Sequence, residues 1–146
     1  MKKILIMSLL SLAGIAQANE TNTVVLSNSD WTATKTVNSM TDKVSCYIIN
    51  NRDRNIQAGS DSFYIGRRGQ GNVAGYQYRL DADTPISYKL ASRLEKDVSA
   101  IIIPIDKLEG KNRIRVSGLS ILTTSIEVDI DISKLIPAVD ACKNVK

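Results

Sequence analysis

Histidine is absent from all 146 residues. Without an imidazole the chain has no Ser-His-Asp or Cys-His catalytic arrangement and no His-bearing zinc site. Cysteine occurs only at Cys46 and Cys142. The two are too far apart for a C-x-x-C redox motif. Long apolar runs are missing as well. The most apolar stretch, residues 4–15, is broken by Ser8, Ser11 and Gly14 and falls short of the roughly 20 residues a membrane-spanning helix needs. No cluster of basic residues is interleaved with aromatics, which removes the electrostatic case for nucleic-acid binding. The chain contains no internal repeat, no low-complexity tract and no linker.

What is present begins with a leader. Lys2 and Lys3 precede the apolar stretch, and Ala16-Gln17-Ala18 follows it as a small-x-small cleavage site. That order predicts a secretory signal peptide over residues 1–18, cleaved after Ala18. No cysteine stands at the cleavage site, so a lipoprotein anchor is not expected. Taking 18 residues from 146 leaves 128, one domain over residues 19–146. Loss of Lys2 and Lys3 leaves 17 basic against 15 acidic residues, a net charge of +2. The predicted compartment is the periplasm or beyond. In that oxidising setting an isolated cysteine pair forms a disulfide. Bridging Cys46 and Cys142 would close a loop worth at most about 4–5 kcal/mol in chain entropy. It would also withdraw both thiols from catalysis and from metal binding.

The mature chain reads as short strands divided by turn signals every eight to twelve residues, the pattern of an all-β protein. Expected strands cover residues 23–26, 31–37, 44–49 and 62–65. Tyr76, Tyr78 and Leu80 share one face against Gln77 and Arg79, and Ile86, Tyr88 and Leu90 share one against Ser87 and Lys89. The pair predicts a hairpin around residues 81–85. Residues 91–98 read as either one helical turn or a polar loop. Further strands are expected over residues 100–105, 112–117 and 122–132. In the last, Leu122, Ile126, Val128, Ile130 and Ile132 oppose Thr123, Ser125, Glu127, Asp129 and Asp131. Leu135, Ile136, Val139 and Cys142 then switch to helical spacing, with Ser133 as the expected N-cap and Pro137 in the first turn. The expected fold is an antiparallel β-sandwich or open barrel with a short C-terminal helix and one disulfide.

The remaining chemistry is that of carboxylates, a lysine base or oxygen-ligated metals. Glu127, Asp129 and Asp131 lie about 6–7 Å apart along one strand face, within the roughly 5–9.5 Å separation a glycosidase uses. Any alternating acidic strand gives that spacing, and a solvated outer face accounts for it. Asp81-Ala82-Asp83-Thr84-Pro85 lacks the later acidic ligand of a calcium loop and reads as a turn. Ser39 and Lys43 do not form the Ser-x-x-Lys pattern of a serine/lysine hydrolase. The glycine-rich stretch Gly66-Arg67-Arg68-Gly69-Gln70-Gly71-Asn72 is followed by a strand rather than a helix, which argues against a phosphate-binding loop. It reads as a hairpin tip or as a binding loop. In the second reading Arg67, Arg68, Tyr76 and Tyr78 are the contact residues, since arginine and tyrosine are common interface anchors. Trp31, at the start of a strand, reads as a core or sandwich-edge residue.

The layout resembles the small exported proteins of the invasion-associated locus B type. The shared features are the leader, the tryptophan-led strand Asp30-Trp31-Thr32-Ala33, the cysteine strand Val44-Ser45-Cys46-Tyr47 and the closing segment from Leu135 to Cys142. That family usually carries a second cysteine pair, which this chain lacks. The resemblance implies a periplasmic β-sandwich and supplies no catalytic residue.

These observations predict an exported, non-enzymatic binding protein without cofactor or metal and with no integral membrane segment. Its expected partner is another protein, as for lysozyme inhibitors and immunity proteins. Two other classes fit the composition. An envelope structural or stress factor would self-associate or bind peptidoglycan or outer membrane. A carboxylate-based hydrolase would hold Asp129 or Glu127 in a cleft with a raised pKa.

Overall fold

The computed structural model describes residues 20–67 and 69–145; the leader and Arg68 lie outside the described residues. The strands are β1 (Glu20–Ser27), β2 (Trp31–Asn38), β3 (Val44–Asn50), β4 (Ile56–Ala58), β5 (Ser62–Gly66), β6 (Val73–Leu80), β7 (Lys89–Leu90), β8 (Ala100–Pro104), β9 (Arg113–Ser120) and β10 (Ser125–Asp131). Helix α1 (Arg93–Val98) precedes β8, a 3-10 turn (Ile105–Leu108) follows it, and α2 (Leu135–Lys143) closes the chain. The strands form two antiparallel sheets. One is six-stranded in the order β1-β2-β3-β4-β5-β8, the other four-stranded in the order β10-β9-β6-β7.

Alternation decides which face each strand buries. Trp31, Ile48, Phe63, Ile101 and Ile103 of the larger sheet meet Val73, Tyr76, Ile114, Val116 and Ile126 of the smaller one in a single core. Trp31 is fully buried and meets Phe63 edge-on at 6.2 Å between ring centroids, a favoured aromatic geometry. Helix α2 buries Leu135, Ala138, Val139 and Cys142, the i, i+3, i+4, i+7 stripe of one face. It docks on β1, β2 and β3. There Cys142 bridges Cys46, with 5.5 Å between the two Cα atoms. The chain is thus all-β with two antiparallel sheets, a short C-terminal helix and one disulfide.

Several local expectations change. The short strand β4 lies between two turn clusters and was not foreseen. The 91–98 segment is helical because Ser92 and Glu95 form a capping box: the Ser92 hydroxyl accepts from Glu95 N–H at 3.2 Å, and the Glu95 carboxylate accepts from Ser92 N–H at 2.8 Å. The hairpin after β6 forms with only Lys89–Leu90 as regular strand, opposite Tyr76 and Gly75. Ile86 N–H and Ala91 N–H continue the same alignment with bonds to the Tyr78 and Ala74 carbonyls. Leu122 does not face the core; it is 69% exposed. It sits in the β9–β10 turn, where Ser120 Oγ accepts from the N–H groups of Leu122 and Thr124. Ser133 does not cap α2. Its hydroxyl and N–H both donate to the Asp131 carboxylate, at 2.6 and 2.8 Å, and the N-cap position falls one residue later, on Lys134, whose side chain makes no capping bond.

Candidate functional site

Arg67, Tyr76 and Tyr78, the expected contact residues among the described ones, do not form one surface. Tyr76 is 0% exposed, because the alternation that aligns it with Leu80 turns it into the core. Its place among the contacts is therefore corrected. Tyr78 is half-buried against the same core, and burial, with the nearby Asp106 charge, pushes its phenol pKa up. Arg67 is half-buried, and its Nε is buried with no hydrogen-bond partner among the described residues. Its N–H donates to the Ser99 carbonyl at 2.8 Å. Arg68 lies outside the described residues. The Gly66–Asn72 segment is a crossing between the two sheets rather than a hairpin tip. Gly69 and Gly71 both take positive φ, 75° and 80°, which side chains disfavour.

Tyr76 instead belongs to a buried polar cluster. Its hydroxyl donates to the Glu95 carboxylate, with the Ile102 carbonyl 3.3 Å away. Glu95, only 3% exposed, also accepts from Ile102 N–H at 3.1 Å and from Ser92 N–H. Lys89 Nζ lies 3.9 Å from the Glu95 carboxylate and 4.6 Å from the Tyr76 ring centroid. Burial pushes the Glu95 pKa up, but the hydrogen bonds from Tyr76, Ser92 and Ile102 outweigh it and leave the carboxyl below its ordinary value. Burial first, then the hydrogen bond to Glu95, raises the Tyr76 pKa far above its usual range. The carboxylate is buried and tied by Tyr76, Ser92 and Ile102, so the cluster joins α1, β6 and β8 rather than presenting an acid to solvent.

The outer face of the four-stranded sheet carries the carboxylate row. Arg79, Arg115 and Asp129 lie side by side across β6, β9 and β10. Arg113 grips Asp129 with both ends of its guanidinium, at 2.6 and 2.5 Å, and Arg115 approaches to 3.6 Å. The Arg113 hydrogen bond holds the Asp129 pKa below its usual value, and the two Ser133 hydrogen bonds do the same for Asp131. Glu127 accepts from the Ser117 hydroxyl at 2.8 Å. A groove of about 320 Å³ runs over this face between Pro85 and Glu127. A general acid at neutral pH needs a raised pKa, and Asp129 is displaced the other way.

The outer face of the six-stranded sheet has a different chemistry. Thr32, Ile49, Gln57, Tyr64 and Ile102 form one row across β2, β3, β4, β5 and β8. Thr34 and Tyr47 lie in the next row. The outward positions of these five strands carry hydroxyls, amides, tyrosines and isoleucines, and no charged side chain. At the β8 end the face deepens into a groove of about 530 Å³. Tyr64 and Ile102 line it with Asn55 and Gln57, and α1 contributes Leu94 and Val98. These two helix residues stand one turn apart and are 61% and 52% exposed. Of the groove residues only Gly66 falls in the expected binding loop, with Tyr64 just before it; Leu94, Val98 and Ile102 carry no such expectation. The usable signal was the S-x-x-E capping box at Ser92, which starts a helix and sets Leu94 and Val98 on one side of it.

No family model, no curated protein and no solved structure matches the chain. Among the described residues no group of three metal-binding side chains converges, and no helix is long and apolar enough to cross a membrane.

Proposed function

We propose that this is an exported, non-enzymatic binding protein that engages another protein through the outer face of the six-stranded sheet. The observation that carries the reading is a face whose strand positions carry no charge, with Arg54 of the β3–β4 turn lining a hollow beside Thr32 and Tyr47, and which ends in the groove of Leu94, Val98, Tyr64 and Ile102. Solvent-facing sheet surfaces are polar, and that of the other sheet here is charged. Interface centres are instead depleted of Lys, Glu and Asp and enriched in tyrosine, and partner anchors seat in pockets. The leader pattern and the disulfide support export. The similarity of layout to locus B-type proteins fits a stapled periplasmic scaffold, and an inhibitor or immunity role suits its size. The Asp129–Arg113 pair favours this reading over a hydrolase.

The test is capture by the exported protein from periplasmic extract, secreted toxins and a lysozyme panel, with wild type beside a Leu94→Arg/Val98→Arg variant. A stoichiometric protein partner held by wild type and lost by the variant, with an unchanged circular dichroism spectrum, supports the proposal. A partner held equally by both refutes the groove. Retention on peptidoglycan in place of any protein assigns the chain to the envelope-factor class.

A further inference from the structure

Four strands end the two sheets: β1 and β8 in the larger, β7 and β10 in the smaller. An open edge offers unpaired N–H and C=O groups that template a further strand unless something blocks it. Three of these edges are blocked. At β8 the Glu95 carboxylate takes the Ile102 N–H, and the Tyr76 hydroxyl lies against the Ile102 carbonyl. β7 has two residues. β10 sets Glu127, Asp129 and Asp131 at alternate positions, so a second β10 would bring carboxylates against carboxylates.

β1 has none of these protections. It is eight residues long and carries one charge, Glu20, at its start. It contains no proline and no lysine. Among the described residues no backbone hydrogen bond from outside the β1–β2 ladder reaches it. Only Leu26 is even partly buried, and Val24 is 58% exposed. The bulge between Val24 and Leu26 comes late in the strand, leaving Glu20 to Val24 regular. Thr21, Thr23 and Val24 are β-branched and favour the extended state.

We propose that β1 pairs antiparallel with β1 of a second copy, across a twofold axis at Thr23 that sets Asn22 opposite Val24 of the second copy, so that two six-stranded sheets become one. The charge pattern selects this occupant and this direction. Antiparallel pairing sends the two Glu20 carboxylates to opposite ends of the paired segment, whereas parallel pairing stacks them about 5 Å apart. The neutral remainder offers no electrostatic gain to a basic or acidic foreign strand, while a second copy matches it with its own β-branched residues. The contact is isologous and closes at two chains. A pair of short strands buries less than the roughly 1,200 Å² of a standard stable interface, so the dimer is weak and concentration-dependent.

The test is sedimentation velocity on the exported protein from about 5 to about 500 µM, spanning weak affinities. Wild type is compared with Asn22→Lys/Val24→Lys, with Asn22→Glu/Val24→Glu, and with an equimolar mixture of the two variants. Thermal unfolding of each variant confirms that these exposed changes leave the domain folded. The expected result is a wild-type dimer fraction that grows with concentration, monomers for each variant alone, and dimer recovered in the mixture. Wild type monomeric throughout, variants that dimerise like wild type, or a mixture that stays monomeric would each overturn the proposal. A wild-type monomer that captures a strand of another protein would overturn it too.

Discussion

Replacing Tyr76 by phenylalanine keeps the ring in the core and removes one oxygen. The structure makes that oxygen a donor to a buried, ionised Glu95. Hydrogen bonds to charged groups contribute about 1.5–3 kcal/mol, a substantial part of the roughly 5–15 kcal/mol that holds a domain folded. With a urea m-value of about 1–3 kcal/mol/M, the midpoint falls by about 1 M. Trp31 is the single tryptophan and fully buried, so its fluorescence follows unfolding directly. The pH dependence adds a second constraint. The Glu95 pKa is lowered on folding, so its contribution is fully present above its ordinary value of about 4.5. It is lost as pH falls through the lowered folded value. Tyr76→Phe weakens that lowering, so the stability gap between wild type and variant is constant near neutrality and narrows in acid. Equal midpoints at pH 7, or a gap that does not narrow anywhere on the acid side of Glu95's ordinary value, would refute the account of the cluster.

Other expectations follow from single features. Alkylation of the exported protein without reductant should add no mass, because Cys46 and Cys142 are bridged; two added groups would exclude the bridge. The Cys46→Ala/Cys142→Ala variant should lose up to about 4–5 kcal/mol in denaturant unfolding, the chain-entropy value of a loop of this length. Arg113→Ala should raise the Asp129 pKa toward the ordinary carboxylate value, read from its side-chain carbon shift, since the Arg113 hydrogen bond is the main cause of its lowering. N-terminal sequencing of the exported protein should begin at Asn19; any other start would relocate the cleavage site.

Alternation along single strands carried most of the architecture. β9 and β10 write their inner and outer faces directly into Ile114, Val116, Ile126 and Val128 against Arg113, Arg115, Glu127 and Asp129. The same rule, applied strictly, places Tyr76 with Leu80 in the core; treating it as an interface anchor weighed residue type above period. β4 escaped notice because three residues are too few to show a period. Leu122 misled because an apolar residue in a tight turn continues the strand pattern on paper. The groove was hidden for a different reason. Gln57, Tyr64, Leu94 and Ile102 come from four elements, and only cross-strand register and the docking of α1 bring them together.

The bridge between Cys46 and Cys142 encloses everything from β4 to α2 in a covalent ring, and β1 and β2 hang outside it. A pull on the two ends of the chain would therefore pass through the sulfur atoms and bypass the ring. Only the segments outside the ring could pay out, about 90 Å of extended chain before Cys46 and about 14 Å after Cys142, while the second sheet and the groove beside α1 carried no load. With the bridge reduced, the same pull would unravel the whole domain. For a protein tethered at one end and gripped at the other, the oxidised form is a short extensible leash on an unstrained domain.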